Sequence, residues 1–189
     1  MGKPIIFFIG KPGSGKGTQA KLLADVTGWP VVGTSGVMRE IIAAGTAAGH
    51  KLKETMDNGD LAPSWIAVYS YLKTLFAIPD DGTVIFDGTS RTPTEAEVVA
   101  DSLRWLGRPF HIFHLTVPDE EVHGRIALRR EKGSRPDDHP DAVATRLKAY
   151  YESTDGAISY LREQGLLTDI DGHRPPEVIA AEVRTILKL

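Results

Sequence analysis

No cysteine occurs among the 189 residues. That excludes disulfides and thiolate zinc sites and is compatible with a reducing compartment. No apolar run approaches the roughly 20 residues that a bilayer-spanning helix needs. The run IIFFI at residues 5–9 is too short for a signal-peptide core and leads directly into a glycine-rich loop. Neither sign of charge predominates, with 22 Lys and Arg against 25 Asp and Glu. The formal net charge of −3 gives no overall electrostatic match to nucleic acid or to an anionic membrane. Asparagine is nearly absent: Asn58 is followed by glycine, so the Asn-Lys-x-Asp element with which switch GTPases read guanine is missing. The six histidines show no pair spacing suited to a metal. These absences leave a soluble, cytoplasmic chain without nucleic-acid or membrane partners as the expectation.

What is present alternates. Pro4 to Ile9 reads as a strand buried on both faces, and the segment after the loop has helical spacing with a stop at Gly28. Short strands are expected at Val31–Val32, in TVIFDG, in HIFHLTVP and in LLTDIDG. Helices are expected in VMREIIAAG, HKLKETMDNG, SWIAVYSYLKTLFAI, PTEAEVVADSLRWLG and DEEVHGRIALRRE. A long helical stretch from Asp141 carries a bend near Gly156, and PPEVIAAEVRTILKL closes the chain. Strands separated by helices imply an α/β fold with a central parallel sheet. At this length one domain is expected, residues 1–189. Trp65 and Trp105 read most simply as core or partly buried helix residues, and His111 and His114 as structural.

The loop GKPGSGKGTQ opens at Gly10 directly after the first strand and runs into a helix. Gly10-x-x-x-x-Gly15-Lys16 in that context is a phosphate-binding loop. Glycines let backbone N–H groups converge on phosphate oxygens without a Cβ in the way, and the helix N-terminus adds partial positive charge. Lys16 reaches toward the β- and γ-phosphates. The alternative is a glycine-rich turn that binds nothing. Residues 125–135 also concentrate Arg125, Arg129, Arg130, Lys132 and Arg135 against a single acid, Glu131. Arg39 and Arg91 lie just beyond expected strands, the edge where parallel sheets bind ligands. Guanidinium groups suit phosphate because they pair with it through two hydrogen bonds.

GxPGSGKGTQ resembles the adenylate kinase family of nucleoside monophosphate kinases. The likeness is collinear. GWPVVGTSGVMRE resembles GxxxISTGDMLR and carries Thr34 and Arg39. MDNGDLAP resembles MDxGxLV and carries Asp60, Leu61 and Ala62. VIFDGTSRT resembles LLDGFPRT and carries Asp87, Gly88 and Arg91. VPDEEVHGRIALRR resembles VPDExxxxRIxxRR and carries Arg125 and Arg129. The segment from Ser134 to Thr154 resembles the lid and its following helix, with Arg135 and Arg146. DIDGHRPPEVI resembles the late segment that passes the ATP adenine, and contains Arg174.

The resemblance implies a three-layer α/β/α phosphate-loop fold with a helical acceptor-binding segment at 33–62 and a short lid at 130–138. It implies reversible transfer of the ATP γ-phosphoryl group to AMP, with Mg²⁺, by a monomer. Gly13, Ser14, Gly15, Lys16, Gly17, Thr18, Arg125, Arg129 and Arg174 would hold ATP. Thr34, Arg39, Asp60, Leu61, Ala62, Gly88, Arg91, Glu95, Arg135 and Arg146 would hold the acceptor. Lys16, Arg39, Arg91, Arg129, Arg135 and Arg146 would carry catalysis, and Asp87 would meet Mg²⁺ through water. The lid has no zinc site.

Gly17 stands where many phosphate loops carry Ser or Thr for Mg²⁺, with the hydroxyl one residue later at Thr18. Three departures from the family pattern bear on the acceptor. Ser35 and Gly36 replace Gly-Asp. Thr89-Ser90 replaces Phe-Pro. Glu95 stands where the family has an adenine-reading glutamine, and an ionised carboxylate only accepts hydrogen bonds. Glu95 either faces the base or turns outward as a first-turn helix acid. GMP, CMP or UMP as acceptor, a small-metabolite kinase and a non-catalytic nucleotide-binding module stay open as alternatives.

Overall fold

The structure is a computed structural model that describes residues 3–58, 60–131 and 140–189. The side chains of residues 140 and 142 are outside that description. Within it, strands β1 (Ile5–Gly10), β2 (Val31–Gly33), β3 (Ile85–Asp87), β4 (Phe110–Thr116) and β5 (Leu167–Asp171) form one sheet of order β2-β3-β1-β4-β5. Every pairing is parallel. Parallel neighbours need crossovers, and helices supply them: α1 (Lys16–Thr27), α2 (Ser35–Ala43), α3 (Ala47–Asp57), α4 (Ser64–Phe76), α5 (Pro93–Trp105), α6 (Asp119–Glu131), α7 (Pro140–Ala149), α8 (Asp155–Glu163) and α9 (Pro176–Leu187).

β1 lies at the centre and is buried along its whole length. Its odd residues Ile5, Phe7 and Ile9 join one core with α4, α5 and α8, through Tyr71, Val99, Leu103, Ile158 and Leu161. Its even residues Ile6 and Phe8 join the other core, under α1 and α9, with Leu23, Ile179 and Val183. A strand that feeds two cores cannot alternate polar and apolar residues, which accounts for the unbroken IIFFI. Phe7 and Phe8 are fully buried; burying each stabilises the fold by roughly 1.5–3 kcal/mol relative to exposure. The result is the three-layer α/β/α arrangement that the alternation implies.

Two expectations need correction. Trp65 and Trp105 are 69% and 81% exposed. The buried stripes of their helices run through Ile66, Ala67, Ser70, Tyr71 and Leu75 on α4, and Ala96, Val99, Ala100 and Leu103 on α5. Both tryptophans stand off those stripes. The break expected near Gly156 comes earlier, as a π-helical turn over Tyr150–Thr154. Gly156 lies inside α8, where an added Cβ would come within 3.2 Å of Pro93 on α5. That glycine marks a close helix–helix approach, not a bend.

Candidate active site

Because every strand runs the same way, all five carboxyl ends lie along one edge of the sheet. There β1 ends in Gly10, β2 in Gly33, β3 in Asp87, β4 in Thr116 and β5 in Asp171. The segments that leave this edge carry most of the described residues singled out from the sequence.

The phosphate loop fills the step from β1 to α1. Gly10, Gly13 and Gly15 have φ of 142°, 78° and 99°, values that L side chains rarely adopt. A Cβ on Gly10 would stand 2.6 Å from the Leu115 carbonyl oxygen, and one on Gly13 2.9 Å from the Ile126 side chain. The loop therefore lies directly on β4 and α6. Lys16 Nζ donates to the carbonyls of Gly10 at 2.8 Å and Lys11 at 2.7 Å. It thus bends back over its own loop. Ser14 is buried, and its hydroxyl has no hydrogen-bond partner among the described residues.

Arg125, on α6, spans the loop and the turn after β5. It donates to the Ser14 carbonyl at 3.4 Å and the Gly172 carbonyl at 2.7 Å, and pairs with Glu121. Glu121 also meets His173, and those contacts hold its carboxyl below the usual range against the opposing effect of desolvation. Arg174 follows in the same turn, but its guanidinium is held by Asp171 and by Glu182 on α9.

On the acceptor side, Thr34 precedes α2 and Arg39 is exposed on it. Arg39 donates to Ser35 twice, to its carbonyl at 3.1 Å and its hydroxyl at 2.7 Å. Ser35, one of the departures from the family pattern, thus orients the arginine it precedes. Leu61 and Ala62 are half-buried and Asp60 is exposed, between α3 and α4. Gly88 has φ of 84°, and its carbonyl accepts from Arg91 Nε at 2.9 Å. Glu95 is only 6% exposed, so it does not turn outward. Its Oε2 accepts the Arg91 backbone N–H at 2.9 Å, its Oε1 accepts the Thr92 hydroxyl at 3.2 Å, and its own N–H donates to Thr92 Oγ1 at 3.3 Å. Thr92 is the N-cap of α5, so the pair forms a capping box displaced by one residue. Burial pushes the Glu95 carboxyl above its ordinary value, against those bonds.

Asp87 closes β3 beside the loop: a Cβ on Gly17 would stand 3.3 Å from its Oδ2. A larger residue at position 17 would crowd that carboxylate, which fits the glycine there. The described residues contain no group of three His, Cys, Asp or Glu able to cage a metal. One carboxylate and the Thr18 hydroxyl beside a phosphate cradle suit Mg²⁺, which keeps waters and takes phosphate oxygens. Arg129 and Arg146 are half-buried in the last turns of α6 and α7. Arg135, and the lid from residue 132 onward, lie outside the described residues.

Several participants escaped the sequence reading. Lys11 pairs with Asp119, donates to the Val117 carbonyl at 3.2 Å and faces the Tyr151 ring at 5.4 Å. Thr154 Oγ1 donates to the Arg91 carbonyl at 3.1 Å. The π-helical turn thus reaches the phosphate loop through Tyr151 and the Gly88–Arg91 loop through Thr154. No motif marks either contact.

A family model described as adenylate kinase matches residues 8–166. The chain is similar to the adenylate kinase of Archaeoglobus fulgidus, with 32% identity over 97% of each chain. It is 35% identical to adenylate kinase 1 of Synechocystis, over 100% of this chain and 98% of that one. The adenylate kinase of Thermus thermophilus is 34% identical over 96% of each.

Proposed function

Because the chain belongs to the adenylate kinase family, we propose that it transfers the γ-phosphoryl group of ATP reversibly to AMP, giving two ADP. It is an ATP-dependent phosphotransferase acting on a nucleoside monophosphate, and it uses ATP with Mg²⁺. The proposal concerns the acceptor and the residues.

The observation that carries AMP is the state of Glu95. Each of its carboxylate oxygens already accepts one internal bond, from Arg91 N and Thr92 Oγ1. Guanine would present two adjacent donors and would pair best with a carboxylate whose two oxygens are both open. Adenine presents one amino group there, and one lone pair left on either oxygen satisfies it without the carboxylate having to release Arg91 or Thr92.

In this reading the amides of Gly13, Ser14, Gly15, Gly17 and Thr18 hold the donor phosphates at the N-terminus of α1. Lys16 leaves its two carbonyls for the β- and γ-phosphates. Arg125 and Arg174 border the donor base, and Asp87 orients Mg²⁺ through water. Thr34, Asp60, Leu61, Ala62 and Gly88 line the acceptor, while Arg39 and Arg91 hold its phosphate. An oxygen of that phosphate attacks the γ-phosphorus as the bond to the β-oxygen breaks. Lys16, Arg129, Arg135 and Arg146 neutralise the charge that spreads over the transferring group. Mg²⁺ held near Asp87 would supply positive charge against the donor phosphates.

The segments 33–62 and 130–138 close over the nucleotides and keep water out. Support for the first comes from a small core apart from the two main ones, where Met38 and Leu52 pack against Ile66 and Ala67 of α4. The reading includes a monomer in the cytoplasm that serves nucleotide biosynthesis; no helix among the described residues is long and apolar enough to cross a membrane. The test is phosphoryl transfer from ATP to AMP, GMP, CMP, UMP and a small hydroxy acid. The highest kcat/KM is expected with AMP. A higher value with any other acceptor, or transfer to none, overturns the proposal.

A further inference from the structure

The loop Gly88–Arg91 takes a left-handed conformation twice, at Gly88 with φ of 84° and at Ser90 with φ of 57°. Ser90 is a costly residue to hold there, since only glycine adopts that region freely. The consequence is that Thr89 and Ser90 turn inward, 3% and 1% exposed, while Arg91 stays exposed. Neither hydroxyl has a hydrogen-bond partner among the described residues. A buried hydroxyl without a partner is destabilising. Thr89 and Ser90 line a narrow crevice between α4 and α5, together with Thr34, Ala67, Tyr71 and Glu95. Tyr71 brings no competing group, because its hydroxyl is taken by Ser102 at 2.9 Å.

We propose that the Thr89-Ser90 pair is a specificity element for the acceptor base: a hydroxyl of this pair donates to adenine N1 while Glu95 accepts from the exocyclic N6 amino group. This deepens the AMP reading and rests on it. A glutamine would supply donor and acceptor from one side chain. Here Glu95 lacks the donor, and Thr89 and Ser90 line the same crevice with that capacity unused. The strained φ at Ser90 then has a function, since a relaxed loop would turn the hydroxyl away.

The test uses the intact enzyme with ATP and two acceptors, AMP and 1-deaza-AMP, in which N1 is replaced by C–H. The variants are Ser90→Gly, whose φ suits glycine, Thr89→Val, which keeps the shape, and the double substitution. Wild type is expected to show a KM for 1-deaza-AMP roughly fivefold to tenfold above that for AMP, the usual worth of one hydrogen bond. At least one variant is expected to raise KM for AMP by that factor and to lose the difference between the two acceptors, with KM for ATP unchanged. Variants that all keep the wild-type ratio overturn the hydroxyl assignment and leave AMP as acceptor. A wild-type enzyme that prefers another monophosphate over AMP overturns both.

Discussion

The Arg91 backbone N–H donates to the Glu95 carboxylate across 2.9 Å, so the side chain proposed to face the acceptor base and the arginine proposed for its phosphate are one hydrogen-bonded unit. Thr92 completes it as the N-cap of α5.

Glu95→Ala is therefore expected to act twice. It removes two acceptors from the start of α5, a loss of about 1 kcal/mol, and it loosens Arg91, raising KM for AMP with little change for ATP. Glu95→Gln keeps the shape but offers only one acceptor, so its loss should be smaller. Urea midpoints at constant m, with both KM values, decide it; a KM for AMP untouched by Glu95→Ala sinks the coupling. A pH signature follows. Burial lifts this carboxyl above 4.5 in the folded chain, so the native state binds the proton more tightly than the unfolded one. Its contribution to stability falls as pH rises from about 4.5 through the folded value. Glu95→Gln should remove that slope.

The His114 imidazole bridges Asp169 Oδ1 at 2.7 Å and Tyr150 at 3.4 Å, with Arg162 also on Asp169 at 2.9 Å. Desolvation holds its pKa below 6.5, against the pull of Asp169. The unfolded chain thus binds this proton more readily. Stability is fully present above 6.5 and declines as pH falls from there toward the folded value. His114→Gln should flatten the denaturation midpoint between pH 6.5 and 5. A variant as acid-sensitive as wild type in that interval counts against the assignment.

The fold was legible because its signals are local. IIFFI followed by glycines at Gly10, Gly13 and Gly15 specifies a strand and a left-handed loop without reference to distant residues. The strand order was not legible, since β2 and β3 have three residues each and nothing in VVG or IFD names its neighbour. At the site, charge patterning exposed Arg125 and Arg129, and resemblance supplied Thr34 and Gly88. The capping role of Glu95 was missed because its position beside Arg91 drew attention to the base. Thr154 and Tyr151 were missed because their partners are 63 and 32 residues away. The tryptophans misled because their size was weighed over their place off the buried stripe.

Lys16 is bound to two carbonyls of its own loop at 2.7 and 2.8 Å, so its ammonium is held at that loop. Lys16→Met is expected to lower kcat about 10²–10³-fold, the usual effect of removing one group that meets transition-state charge. KM for AMP should change little. Single-turnover transfer under saturating ATP is the measurement. A variant with kcat within a factor of three of wild type would show that the loop amides suffice without it.

Thr154 gives the last expectation, because it joins the π-helical turn to the loop that carries Arg91. Its hydroxyl donates to the Arg91 carbonyl at 3.1 Å and is 7% exposed. A π-helical turn places one extra residue in its segment, and such turns often occur at functional sites. Here the widened turn presents Tyr150 to His114, Tyr151 to Asp119 and Thr154 to Arg91. Thr154→Val keeps the shape and leaves the Arg91 carbonyl without that donor, a loss of about 1–2 kcal/mol. If the contact positions Arg91, KM for AMP rises roughly fivefold while KM for ATP stays put. Thr154→Ser keeps the hydroxyl and should restore the wild-type KM. If the turn only stabilises the fold, both nucleotides weaken together or neither does, and the melting temperature alone moves. The split between the two KM values, not the stability change, separates a positioning contact from a packing one.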